Sequence, residues 1–392
     1  MSASRVGIGI IGGGLMGREI AAAIARWPAL VDHPVRPEVV SVADINPAVL
    51  PWFADLPTVT QTVTDPAELL ANPDVDVVYV AVRHDLHERL YTDVVEAGKD
   101  LLAEKPFGID RAAADAILAA VRRSGRFVRV SSEMPFFPGA QAAIQRVASG
   151  ALGPLIEVHA AFLHSSDYHP DKPVNWKRQV ATCGRAGVMN DLGLHAWHVP
   201  LRLGLAPAQL FGVLQDLVPS RPGPDGAPVV CDTIENARVL GLVPASATGG
   251  ASWPVPLTVE TKRIAPGEKN TWEFRAVGMD GAVSFSTAEP KSLRILERTS
   301  ADPSWQLVQT GSQSVWPTVT GPIFEFGFSD AILQMWAAFL AERAGELGDR
   351  FGCATPEEAA LTHRLYDAAW ASASGSTLGE VVPLTGNDHA GG

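Results

Sequence analysis

Residues 12–17 read Gly12-Gly13-Gly14-Leu15-Met16-Gly17, a G-x-G-x-x-G spacing that directly follows the apolar run 6–11 and opens an alanine-rich helical pattern. That placement suits a phosphate cradle. Gly12 allows a tight turn, Gly14 lets a pyrophosphate approach the backbone, Gly17 lets helix and strand pack closely, and helix N–H groups face the anion. An ordinary glycine-rich turn is the plain alternative, and a strand before, a helix after and an acid further on argue against it. The acid is Asp44, which closes the run 39–43 and lies 27 residues past Gly17, somewhat beyond the usual ~20. Pro28, Pro34 and Pro37 account for the excess if residues 27–38 form an extended loop. A carboxylate at this strand end accepts hydrogen bonds from ribose hydroxyls and repels a 2′-phosphate. Ile45 and Asn46 supply no cation, so NAD is favoured over NADP. Asp44 can also cap the turn through Asn46-Pro47, and one side chain can do both.

A second set of residues is suited to moving a proton and a hydride. Lys105 follows the strand-like run 100–103, at the carboxyl edge where open α/β sheets bind ligands, and Pro106 restricts it to an extended conformation. Its ammonium can then bond a substrate hydroxyl and stabilise the alkoxide that develops as hydride leaves carbon; a solvated surface lysine is the alternative. Asp191 and His195 are four apart, so a helix over 188–203 puts both on one face. An imidazole is a competent base for an alcohol proton, and an adjacent carboxylate orients it and stabilises imidazolium. An ion pair on a solvated helix face is the competing reading. His198 makes a metal cluster conceivable, but no second ligand pair is evident and no metal is expected. Upstream, Trp176 can stack on the C–H face of a sugar ring while Lys177 or Arg178 binds hydroxyls, although tryptophan is as often a core residue.

These residues need elements to hold them. Up to about residue 130, strand-like runs at 6–11, 39–43, 77–81, 100–103 and 127–130 alternate with helical patterns at 17–27, 67–70, 86–97 and 111–124. That alternation is the mark of a doubly wound parallel sheet. Residues 77–82 are apolar on both faces, as a strand covered by helices on both sides must be. Beyond about 150 the pattern becomes one of strands at 155–164, 233–242, 258–264, 271–277, 282–287, 293–297 and 305–309, which implies a mainly antiparallel sheet. Helical periodicity returns at 330–344 and 356–373, the second with Thr355 as N-cap before Pro356. The expected division is a dinucleotide-binding domain at 1–131, a substrate-binding and oligomerisation α+β domain at 132–385, and a frayed tail at 386–392.

Composition bounds the partners. The chain has 392 residues, 46% of them hydrophobic, and a formal net charge of −12 with no basic block, which argues against disorder and against binding nucleic acid. Three scattered cysteines read as reduced thiols. The start of the chain shows no secretion signal, and no apolar run nears the ~18–20 residues that cross a bilayer. A soluble, cytoplasmic protein is expected. In residues 155–164 neither face is fully polar, so the second sheet should pair with another copy as a homodimer or homotetramer.

Taken in order, the glycine turn, Asp44, the segment Ala81-Val82-Arg83-His84-Asp85-Leu86-His87, Glu104-Lys105-Pro106, the turn Gly150–Gly153 and Asp191-Leu192-Gly193-Leu194-His195 resemble the Gfo/Idh/MocA family over nearly the whole chain. The resemblance implies a Rossmann domain, an open antiparallel second sheet and a nicotinamide-dependent oxidoreductase acting on a sugar, glycoside or cyclic polyol. It implies cofactor contacts at Gly12, Gly14, Leu15, Met16, Gly17, Asp44, Ala81, His84, His87, Glu104 and Lys105. Lys105, Asp191 and His195 become the catalytic set, joined by Trp176 and Lys177 as substrate contacts. Three departures stand out. His198 replaces the family's common Asp, Val82-Arg83-His84 replaces Thr-Pro-Asn, and Ser131-Ser132-Glu133-Met134-Pro135-Phe136-Phe137 replaces a polar stretch, so a more aromatic pocket is expected. Two alternatives stay open: a glycoside-cleaving enzyme that recycles tightly bound NAD, and a non-catalytic NAD- and sugar-binding regulator. Joint retention of Lys105, Asp191 and His195 counts against the regulator.

Overall fold

The structure is a computed structural model and describes residues 4–381 apart from 249, 299–302, 376 and 378. The expected tail at 386–392 lies outside the described residues. The first sheet is parallel, in the order Gln61–Val63, Val35–Ala43, Ser4–Ile11, Val77–Val80, Asp100–Ala103, Val128–Val130. This is the dinucleotide-binding strand order, with its switch point between the first and fourth strands in sequence. Val77–Val80 is fully buried because helices cover both faces.

The second strand begins at Val35 and includes Pro37, so the loop expected over 27–38 is shorter than the prolines suggested. Its outer neighbour Gln61–Val63 pairs only with Ser41–Ala43. The start of the strand is therefore an edge on that side, where proline is tolerated. Gln61–Val63 itself is too short to show a period, and the sequence reading missed it.

The second sheet has nine strands among the described residues, in the order Gln306–Gln309, Ser292–Glu297, Gly281–Ser286, Thr271–Gly278, Leu155–Leu163, Val255–Lys262, Asn236–Val243, Gln209–Gln215, Gly379–Glu380. All neighbours are antiparallel except Leu155–Leu163 and Val255–Lys262, which run parallel. Alternation divides its two faces. One row of paired residues, Val239, Val259, Ala160, Phe274 and Phe285, is buried beneath Pro138–Ala148, Val188–Arg202 and Pro356–Gly375. The opposite face, with Phe211, Leu240, His159, Arg275, Arg294 and Leu307, has no helix over it among the described residues.

The helix Phe328–Arg343 packs against the first sheet instead, with Trp336 6.0 Å from Tyr79 and Phe339 5.4 Å from Phe127. One apolar cluster consequently runs from Val6 to Ala369 and joins both halves. Thr355 caps Pro356–Gly375 as expected: its Oγ1 accepts from Glu358 N at 3.1 Å, and Glu358 Oε2 accepts from Thr355 N at 2.8 Å. The stretch 134–137 goes into the core and not into a pocket. Phe136 packs on Phe351 at 5.8 Å and Phe137 on Phe326 at 5.2 Å, so the aromatic pocket expected there is not formed by these rings. No helix among the described residues is long and apolar enough to cross a membrane.

Candidate active site

The glycine turn forms at the carboxyl edge of the first sheet. Gly12 sits at φ +102°, and a Cβ there would lie 2.2 Å from Ala81 O; one on Gly17 would lie 2.1 Å from Gly12 O. Gly14 has nothing within 4 Å of its Cβ position, which leaves its backbone open to an approaching anion. Leu15 and Ile45 are exposed on either side of the turn, with Met16 half-buried behind Leu15. Asp44 caps the turn as expected, Oδ1 accepting from Asn46 N, while Oδ2 accepts from Gly13 N, each at 2.7 Å. Each oxygen keeps a lone pair for a ribose hydroxyl.

Other proposed cofactor contacts turn inward. Glu104 Oε1 accepts from Tyr79 Oη at 2.6 Å and Ser131 Oγ at 2.5 Å, which makes it a clamp beneath Lys105. His87 is wholly buried, its ring nitrogens facing Pro106 O at 2.8 Å and Val82 O at 3.1 Å. Burial pulls its pKa to about 4, so the neutral ring braces the backbone around Lys105. His84 is buried too. Its Nδ1 faces Cys183 O at 3.2 Å and its ring stands edge-on to Trp176 at 4.8 Å, linking the two halves across the crevice. Arg83 points to the surface and pairs with Asp85.

Across the crevice, Val188–Arg202 is buried along nearly its whole length, which overturns the solvated-face reading of Asp191 and His195. Lys105 Nζ donates to Asp191 O at 2.8 Å and to Oδ1 at 3.2 Å, and Lys177 Nζ donates to the same Oδ1 at 2.7 Å. Arg263 Nη1 engages Asp191 Oδ2. The expected Asp191–His195 partnership is not formed, because the carboxylate is taken by three cations. His195 Nδ1 instead meets Ser132 Oγ at 3.2 Å and lies 3.8 Å from Glu133 Oε2. Burial lowers the His195 pKa well below its ordinary value, with Lys105 and His164 adding to the effect. Burial, with Glu104, raises Glu133 to about 7.

Arg178 is withdrawn from the site: it is fully buried, donates to Thr233 Oγ1 at 2.8 Å and pairs with Glu235. His198 packs on Phe351 at 4.8 Å, and its pKa is lowered to about 3 by burial. Among the described residues no group of three or more His, Cys, Asp or Glu side chains could hold a metal.

Sequence reasoning missed Ser132, Glu133, His164, Asp167 and Arg263. His164 stands at the end of Leu155–Leu163, and Arg263 follows Val255–Lys262, the parallel neighbour. Their proximity comes from the pairing of strands about a hundred residues apart in the chain, which no local spacing reveals. Ser132 and Glu133 were noticed only as a departure, although their place after the last parallel strand was a usable signal.

A parallel sheet in this strand order binds nucleotides at its carboxyl edge, and here that edge faces the helix that carries Asp191 and His195. Residues 6–132 match the oxidoreductase family with an NAD-binding Rossmann fold, GFO_IDH_MocA. Levoglucosan dehydrogenase of Pseudarthrobacter phenanthrenivorans is 24% identical over 336 residues, 82% of this chain and 81% of that protein. Trans-1,2-dihydrobenzene-1,2-diol dehydrogenase of Macaca fascicularis is 28% identical over 187 residues, 48% of this chain and 52% of its own length. Levoglucosan dehydrogenase in complex with NADH shares the fold with a TM-score of 0.86 at 21% identity, over 97% of this chain and all 100% of that one. An oxidoreductase domain protein from Kribbella flavida gives 0.86 at 23% identity, again over 97% and 100%.

Proposed function

We propose that the protein oxidises a hydroxyl group of a sugar, glycoside or cyclic polyol with NAD, using Lys105 and His195. The observation that carries this reading is the reach of Lys105 Nζ from the carboxyl edge of the first sheet to Asp191 O, at 2.8 Å, one helical turn before His195. The open backbone at Gly14, the carboxylate of Asp44 and the exposed Leu15 and Ile45 fit a dinucleotide. NAD, when bound, supplies the acceptor for the hydride. Relatives named for levoglucosan and for a dihydrodiol support a ring-borne hydroxyl as the group oxidised.

The chain's own residues then divide the work. Two of the three Lys105 N–H groups are held by Asp191, which leaves the third for the substrate oxygen and its developing charge. His195 must carry its resting proton on Nδ1, toward Ser132 and Glu133, so that Nε2 takes the hydroxyl proton. The carbon loses a hydride, the oxygen loses a proton to Nε2, and the C–O bond becomes a carbonyl. An ionised Glu133 favours the imidazolium that results, against burial and the nearby lysines. Asp191 positions Lys105 and Lys177, with Trp176 flanking the place of the sugar ring. The test is the rise of reduced-nicotinamide absorbance with NAD and with NADP against levoglucosan, methyl glycosides and inositols. Turnover with NAD on one or more of these is expected; absence of turnover on every compound, with NADH binding intact, refutes the reading.

A further inference from the structure

We propose that the substrate carries a carboxylate: a polyhydroxy acid or uronoside whose anion seats against Lys177 and Arg263 while the hydroxyl to be oxidised lies at Lys105 and His195. This rests on the oxidation proposed above and narrows its substrate class. The motive is a local charge that contradicts the whole. The chain carries a net charge of −12, yet Lys105, Lys172, Lys177 and Arg263 gather on two carboxylates, Asp167 and Asp191. Asp191 holds Lys105 and Lys177 on one oxygen and Arg263 on the other. Asp167 takes Arg263 Nε at 2.9 Å and Lys172 Nζ at 3.0 Å. Immediately behind, the buried Arg178 and Arg221 share Glu235, at 2.9 and 3.3 Å.

Exposure separates the three lysines from the carboxylates, with Arg263 only 9% exposed between them and Arg178 and Arg221 buried. The side chains of Asp167 and Asp191 are 0% and 2% exposed, whereas those of Lys105, Lys177 and Lys172 are 17%, 29% and 39% exposed. The opening therefore presents donors, while the two carboxylates behind it are already bonded and His195 Nε2 is given to the hydroxyl that reacts. A neutral polyol needs acceptors for its hydroxyl protons as well as donors for its oxygens. A carboxylate needs donors alone, and its hydrogen bonds to cations are the strong, charge-assisted kind. The cations also press on one another. Burial first, then Arg263 and Lys105, hold the Lys177 amine well below its usual pKa, and His164 is brought to about 4 by burial and the same cations. An anion at the opening relieves that repulsion. Even with Lys177 uncharged, the three facing cations Lys105, Lys172 and Arg263 against two carboxylates leave a surplus of one charge, which one substrate carboxylate balances. A phosphate dianion would exceed it.

The test uses the full chain with NAD and three matched pairs: the methyl glycosides of glucose, galactose and mannose, each beside its uronate. Turnover is read as kcat/KM, and binding to the NADH-loaded protein is read by calorimetry. For at least one pair the acid is expected to be preferred by about tenfold or more, the size of one charge-assisted hydrogen bond. Lys177→Met is expected to cut activity on the acid more than activity on its neutral partner. Equal or better turnover of the neutral members overturns the carboxylate while leaving the oxidation intact. Acids that bind selectively but are never oxidised support the anion site and overturn the oxidation; no oxidation and no binding overturns both. A sugar 6-phosphate that outperforms every uronate overturns the carboxylate in favour of a phosphate.

Discussion

Replacing Asp191 by Asn keeps the shape of the side chain and removes the single charge on which Lys105, Lys177 and Arg263 converge. At an effective dielectric of ~20, two unit charges about 3 Å apart attract by roughly 5.5 kcal/mol. Desolvation cancels part of this, and removing one partner of a buried pair typically costs ~3–5 kcal/mol. Lys177 and Lys105 retain some access to solvent and can turn toward it, so the loss belongs at the lower end, about 3 kcal/mol. With unfolding entropy near ~2.1 cal/mol/K per residue, a chain of 392 residues should then melt about 4 °C lower. Lys105 keeps its bond to the Asp191 backbone carbonyl but loses the carboxylate charge, so kcat should fall while NADH still binds. The acid limb of the pH–rate profile should move to lower pH, because one negative charge fewer near His195 disfavours imidazolium. Differential scanning fluorimetry, NADH titration and steady-state kinetics check the three parts. A melting shift under about 1 °C with unchanged kcat refutes the view that this carboxylate organises the site.

Lys105→Met should keep NADH binding, read by fluorescence, and lose about a hundredfold or more in kcat; near wild-type turnover would make the lysine structural. The raised pKa of Glu133, about 7 in the fold against an ordinary 4.5, contributes stability below pH 4.5 that is lost as pH climbs through 7. Glu133→Gln should flatten the melting profile across that window and move the acid limb of kcat/KM downward; an unchanged profile excludes the carboxyl as the partner of His195. Asp44→Ser with Ile45→Arg should shift preference toward NADP, and a wild-type protein that binds NADPH more tightly than NADH by calorimetry would contradict the role of Asp44. Exposed Phe211 and Leu240 on the uncovered sheet face should be buried between copies. Sedimentation of the wild type as a dimer or larger is expected, with dissociation for Phe211→Asp plus Leu240→Asp, and a wild-type monomer at micromolar concentration would refute it.

Much of the nucleotide half could be read from the sequence because its signals are local. A glycine turn announces itself within six residues, and 77–80 shows its double burial by composition alone. Lys105 and the pair Asp191 and His195 were also visible, each by a short spacing. What the spacing could not supply was partners. The four-position spacing of Asp191 and His195 brought them to one helix, but which of them faces which neighbour depends on what the two sheets carry to that helix. Arg263 arrives on a strand parallel to Leu155–Leu163 and takes Asp191, while Glu133 arrives after the last strand of the other sheet and lies under His195.

That exchange of partners changes the chemistry expected of His195. A histidine paired with a fully ionised aspartate would be a base near neutrality at rest. Here burial and the surrounding cations hold the ring neutral, and its nearest acid is a carboxyl that itself ionises near pH 7. The capacity of His195 to accept a proton should therefore strengthen as Glu133 loses its own, which couples the two groups into one titrating pair. An enzyme built this way should gain activity over the pH range in which Glu133 ionises. In the proposed reaction the substrate's proton would enter at Nε2 while the charge that stabilises it develops on the opposite side of the ring, away from Lys105, which would hold the alkoxide.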